Sequence, residues 1–121
     1  MNDKMLCVKT NNGKKIKIAL LKSGGLSVFI DSLHPTKFVI KNKNLNDLFT
    51  AIKNVLTFNN ECNLELVNAG DILQLIYSSN GQLLLKMYDR EENTNNTVII
   101  NNNQSVSVLN KICKLILFDI S

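Results

Sequence analysis

The chain has 121 residues, 45% of them hydrophobic and 20% charged, with a formal net charge of +4. That length supports one compact domain and excludes two independent ones. No apolar run approaches the ~20 residues needed to cross a bilayer, and the start, MNDKMLCVKTNNGKKIK, has no apolar centre of a signal peptide.

An intracellular protein is therefore expected. The three cysteines, Cys7, Cys62 and Cys113, are odd in number and widely spaced. They read as buried free thiols. His34 is the only histidine, and neither CxxC nor HxxxH occurs, so no metal site and no cofactor are expected. The sequons at Asn95 and Asn103 follow from abundant asparagine.

MLCVKT and KKIKIALL are strand-like and are separated by Asn11-Asn12-Gly13. KIKI alternates polar and apolar, the pattern of a half-buried strand. After Lys22-Ser23-Gly24-Gly25 comes LSVFID, with Leu26, Val28 and Ile30 on one face and Ser27, Phe29 and Asp31 on the other. A loop containing Pro35 leads to KFVIK. Asn44 reads as a helix N-cap, with Asp47 three residues on in a capping-box position. Leu45, Leu48, Phe49, Ile52, Val55 and Leu56 then recur at helical spacing.

The order repeats. CNLELV, the turn Asn68-Ala69-Gly70, ILQLIYS, the hairpin signal Ser79-Asn80-Gly81 and QLLLKMY follow one another. A polar loop, DREENTNN, precedes TVIIN, and a helix is expected from about Ser107 to Ile120. NNG aligns with NAG, SGG with SNG and VIKNKN with VIINNN; the helices align if about four residues, SVSV, are inserted before the second. The expected fold is α+β: tandem ββββα repeats, about 4–57 and 61–120, within a single domain, 1–121. Two antiparallel four-stranded sheets would each hide one face beneath two helices.

Charge separates the copies. Residues 1–56 hold ten lysines against Asp3, Asp31 and Asp47; residues 57–121 hold four cations against seven acids. Lys15 and Lys17 leave the sheet on its outer face, Lys37 and Lys41 bracket Phe38-Val39-Ile40, and Lys9, Lys14, Lys22 and Lys43 border the same sheet. Phe29 has the same outward parity. Lysines that release phosphate counterions, beside a ring that accepts an unstacked base, point to a nucleic-acid surface made of these nine residues. Arg90 is the only arginine, so bidentate reading of bases is not expected.

Doubled ββββα units resemble the Whirly and PUR groups of single-stranded nucleic-acid-binding proteins, and more distantly the PC4-like coactivators. Gly13-Lys14-Lys15 through Ala19-Leu20 resembles the KGKAAL stretch of Whirly proteins. The resemblance implies single-strand binding by sheet surfaces, with Lys14 and Lys15 as backbone contacts, and assembly through helices. Single-stranded DNA or RNA is the expected partner, bound without sequence preference.

In the last helix, Val108, Leu115 and Phe118 form a second apolar stripe, which predicts a homodimer or larger assembly through it. The competing expectation is a small oligomeric adaptor, viral or accessory, that binds protein and no nucleic acid. An enzyme is not expected. Asp31 and His34 have no nucleophile in a recognisable arrangement, Ser23-Gly24-Gly25 lacks phosphate-loop spacing, and Glu91-Glu92 lies in a polar loop.

Overall fold

A computed structural model describes residues 4–10 and 12–120, the side chains of 119 and 120 excepted. Strands β1 (Met5–Lys9), β2 (Lys15–Leu20), β3 (Leu26–Asp31) and β4 (Thr36–Ile40) form one antiparallel sheet in sequence order. Helix α1 (Asn42–Phe58) follows. Strands β5 (Cys62–Asn68), β6 (Asp71–Tyr77), β7 (Leu83–Asp89) and β8 (Thr94–Ile100) form the second sheet, also in order, and α2 (Asn102–Ile120) ends the chain. The fold is a ββββα unit used twice.

Period-two alternation decides which side of each strand is hidden. Ile16 and Ile18, Leu26, Val28 and Ile30, and Phe38 and Ile40 point inward from the first sheet and are buried. Leu73 and Leu75, Leu83, Leu85 and Met87, and Val98 and Ile100 do the same in the second. The helices close the layer between them. Helix α1 packs on α2 and reaches β5, while α2 reaches β1 and β2, so each helix touches the other repeat's sheet. All buried apolar residues form one cluster.

The turns fit their residues. Asn68 pairs with Asp71 across a two-residue turn in which Ala69 (φ 53°) and Gly70 (φ 90°) are both left-handed, as a type I′ turn requires. Gly25 (φ 88°) lies against the carbonyl oxygen of Ile40, where a β-carbon would not fit.

Three element boundaries differ from expectation. Helix α1 begins at Asn42, so the N-cap is Lys41, without a side-chain cap, and not Asn44. The Asn44 N–H instead donates to the Lys41 carbonyl at 2.9 Å inside the first turn. Helix α2 begins at Asn102, five residues before Ser107, because Asn101 caps it: its Oδ1 accepts the Asn103 N–H at 3.2 Å. Strand β8 begins at Thr94, not Thr97, and takes in the last three residues of the expected polar loop.

These boundaries remove the four-residue insertion. Equivalent residues stand 57 apart through β2 and β3 (Ile16 with Leu73, Ile30 with Met87) and 60 apart from β4 onward (Thr36 with Asn96, Ile40 with Ile100). On that offset the buried residues of α1, namely Leu45, Leu48, Ile52 and Val55, match Ser105, Val108, Ile112 and Leu115, all buried. Ser105 fits because its hydroxyl donates to the Asn101 carbonyl at 3.3 Å. The three extra residues of the second repeat, Asp89, Thr94 and Asn95, lengthen the ends of β7 and β8; the connections themselves, 32–35 and 90–93, are equally long.

Candidate nucleic-acid interface

The outer face of the first sheet is set by its register. Cys7, Lys17, Phe29 and Lys37 are direct cross-strand neighbours and form one row over all four strands. Lys9, Lys15 and Asp31 form the row beside it; Met5, Ala19, Ser27 and Val39 form the row on the other side. Directly opposed side chains have β-carbons ~4.5–5.5 Å apart. Phe29 therefore lies between two lysines, one on each neighbouring strand.

The lysines of these rows, Lys9, Lys15, Lys17 and Lys37, are exposed, and Phe29 is half-buried. Among the described residues, the side chains of Lys15, Lys17 and Lys37 take part in no hydrogen bond or ion pair within the chain. Asp31, opposite Lys15, is the one acid in the three rows. The face is thus cationic with a ring at its centre.

The row of lysines continues off the end of β4. Lys41 and Lys43 line a groove with Leu21, Ser23, Gly24, Val39 and Asn42. Lys22 is exposed on the adjoining β2–β3 turn. Helix α1 starts in that groove with no acidic residue in its first turn. The dipole at its first turn adds partial positive charge to that of the two lysines. The equivalent N-cap in the second repeat is Asn101, which caps. The same position carries a cap in one copy and a cation in the other.

Lys14 does not belong to this face. It is half-buried, and its Nζ donates to Asn96 Oδ1 at 3.0 Å and to the Thr97 carbonyl at 3.1 Å. Its charge is held between the repeats. Asn96, whose local sequence predicts a loop, is the centre of this joint. It is 5% exposed. Its Nδ2 donates to the His34 carbonyl at 2.7 Å and to Thr36 Oγ1 at 3.0 Å, and its Oδ1 also accepts from Ser32 Oγ at 3.3 Å. Asn12 Nδ2 donates to the Thr97 carbonyl beside it at 2.8 Å.

The second sheet lacks the cationic face. The residues equivalent to Cys7, Lys17, Phe29 and Lys37 are Glu65, Gln74, Lys86 and Thr97. Tyr77 is buried and offers no stacking surface.

The apolar stripe expected on α2 is mostly internal. Val108 and Leu115 are each 3% exposed, while Phe118 is 50% exposed. The reason is packing: α2 lies between α1 and the edge of the first sheet, so both of its apolar sides meet this chain. Val108 and Leu115 are core residues and not interface residues. Phe118 remains at the surface, over a pocket with Met5, Leu6, Lys111, Lys114 and Leu115.

Of the three thiols expected to be buried only Cys113 is; Cys62 is half-buried, and Cys7 is exposed because it stands on the outward parity of β1. Burial pushes the Cys62 and Cys113 thiols above the usual range; for Cys113, nearby Lys53 partly offsets this. Among the described residues no cluster of His, Cys, Asp or Glu could hold a metal ion, and no helix is long and apolar enough to cross a membrane. No protein-family model matches the chain, and no curated protein matches it in sequence.

Proposed function

We propose that the protein binds single-stranded nucleic acid on the outer face of its first sheet, without sequence preference. The observation that carries this reading is the row formed by Lys17, Phe29 and Lys37, an aromatic ring flanked across strands by two lysines without partners. A base stacked on such a ring contributes ~1–3 kcal/mol whatever its identity, because every base has a π-face. Lys15, Lys17, Lys37, Lys41 and Lys43 would meet the phosphates along the strand. A duplex keeps its bases stacked and leaves the ring nothing to receive. The near-absence of arginine removes bidentate base contacts.

The test is fluorescence anisotropy with labelled oligo-dT and with a duplex of equal length. Engagement of ~5 phosphates gives a log–log salt slope near −3.5 for the single strand. Lys17→Glu with Lys37→Glu should weaken binding ~100-fold or more at low salt, by analogy with charge reversal at several phosphate contacts. No binding at low salt, or affinity unmoved by the two reversals, would remove the reading.

A further inference from the structure

The second sheet also has an outer face, and its composition is unlike that of the first. Ile76, Leu84 and Ile99 are direct neighbours across β6, β7 and β8. The equivalent residues of the first sheet are Ala19, Ser27 and Val39. On the other side of the central row, Ile72 and Tyr88 stand where the first sheet has Lys15 and Asp31. Val67 beside Ile72 is 54% exposed.

The first sheet serves as an internal control. The same four-stranded unit, with its inner face buried in the same way, forms with alanine, serine, one valine and charged residues at these outward positions. Large aliphatic side chains are therefore not needed there to build the sheet. Ile72, Ile76, Leu84, Tyr88 and Ile99 are half-buried within the chain, so their accumulation on one of two equivalent faces leaves apolar area for a second surface to cover.

We propose that this face is the contact of a two-fold homodimer, packed sheet against sheet. Charge selects the partner and the axis. The central row carries one acid and one base, Glu65 and Lys86, two strands apart, so the face is neutral on a chain of net charge +4. It lets two copies meet without bringing the lysine-bearing faces together.

A two-fold axis parallel to the strands, between β6 and β7, lays Ile76 of one copy over Leu84 of the other. It also lays the central row over its own reverse. Glu65 then stands one strand spacing, ~4.8 Å sideways, from Lys86 of the other copy. An axis along the row would instead set Lys86 over Lys86 and Glu65 over Glu65, which like-charge repulsion disfavours. Face-to-face sheets pack ~10 Å apart with interdigitated side chains, a spacing that these aliphatic residues fill.

The experiment is light scattering after gel filtration, over a range of loading concentrations. Because it reads mass, it does not depend on nucleic-acid binding. The full chain should give twice its 13.6 kDa mass. Ile76→Ala with Leu84→Ser, the residues the first sheet already uses, should weaken the dimer by roughly 100-fold or more through lost burial on both copies. Glu65→Lys, an exposed change, should weaken it several-fold, and Glu65→Lys with Lys86→Glu should restore it. Phe118→Ser should leave the mass at the dimer value. A monomer at every concentration would overturn the proposal. So would a dimer unaffected by both the aliphatic and the charge variants, or one dissolved by Phe118→Ser alone.

Discussion

Thr36 and Asn96 occupy the same position in the two repeats, and they are hydrogen-bonded to each other, Nδ2 to Oγ1, at 3.0 Å. The repeats thus meet at their own equivalent residues, the relation expected at a local two-fold axis. Both side chains point into the core from the strand before each helix. Each is buried, 1% and 5% exposed, so their polar groups need partners inside the protein. Asn96 supplies most of them.

Asn96→Ala should therefore be strongly destabilising. It leaves the His34 carbonyl and the Thr36 hydroxyl without their donor and the Lys14 ammonium with one acceptor fewer. Each stranded buried group costs ~1–3 kcal/mol, so an overall loss of about 2–4 kcal/mol is expected. Urea unfolding measures it. Oligonucleotide affinity of the molecules still folded should be unchanged, because Asn96 is remote from the outer face. A loss under ~1 kcal/mol would mean that water replaces the asparagine amide.

The two helix starts give a paired prediction. Lys41→Asn installs in α1 the cap that Asn101 provides to α2. Stability should rise by ~0.5–2 kcal/mol, the usual value of a capping side chain. Oligonucleotide binding should weaken at the same time, and the magnitude of its salt slope should fall by ~0.7 for one lost phosphate contact. Asn101→Lys should do the reverse to stability alone. A lysine at an N-cap that can be replaced with gain in stability and no loss of binding would place the strand elsewhere.

The parts legible in the sequence are those fixed by short-range pattern. KIKI and LSVFID alternate, Asn-Gly and Ala-Gly mark the tight turns, and so the order of eight strands and two helices follows. Asn96 was illegible because asparagine is a turn signal locally; only a partner 60 residues away makes its burial tolerable. The sequence puts the start of α2 at Ser107 for the same reason, since the weak helix formers from Asn102 to Ser105 hide a start that one side-chain cap and one buried hydroxyl fix. Lys14 shows the limit for charge: the count gives a cation, and the fold decides whether it faces solvent or Asn96. Val108 and Leu115 show it for apolar residues. Two apolar sides on α2 imply two partners, and the pattern does not say that both lie in the same chain.

Ala69 carries strain that one substitution should release. It is exposed, with φ 53°, in the first central position of the β5–β6 turn. A residue with a β-carbon loses ~1–2 kcal/mol in that region, and asparagine tolerates it far better. Ala69→Asn should raise the unfolding free energy by ~1 kcal/mol, read as an increased urea midpoint with an unchanged slope. A neutral result would mean that the turn differs in solution.

The cysteines allow the proposed interface to be mapped without altering a lysine. Cys7 is exposed and shares its row with Lys17, Phe29 and Lys37. The thiolate is the reactive form, and burial holds Cys62 and Cys113 protonated at pH values where a free thiol begins to ionise. Near pH 8 a maleimide should therefore modify Cys7 first, and saturating oligo-dT should slow that reaction ~10-fold or more if the strand covers the row. The buried thiols also set a sign for stability. Their folded-state pKa lies above the ordinary value of 9.0, so the folded chain holds protons that the unfolded chain has released. Their contribution is fully present below pH ~9 and is lost as the pH rises through the folded value. Cys62→Ser with Cys113→Ala should flatten that part of the alkaline decline. Equal labelling of Cys7 with and without oligonucleotide would move the binding surface off the first sheet, whatever the affinity.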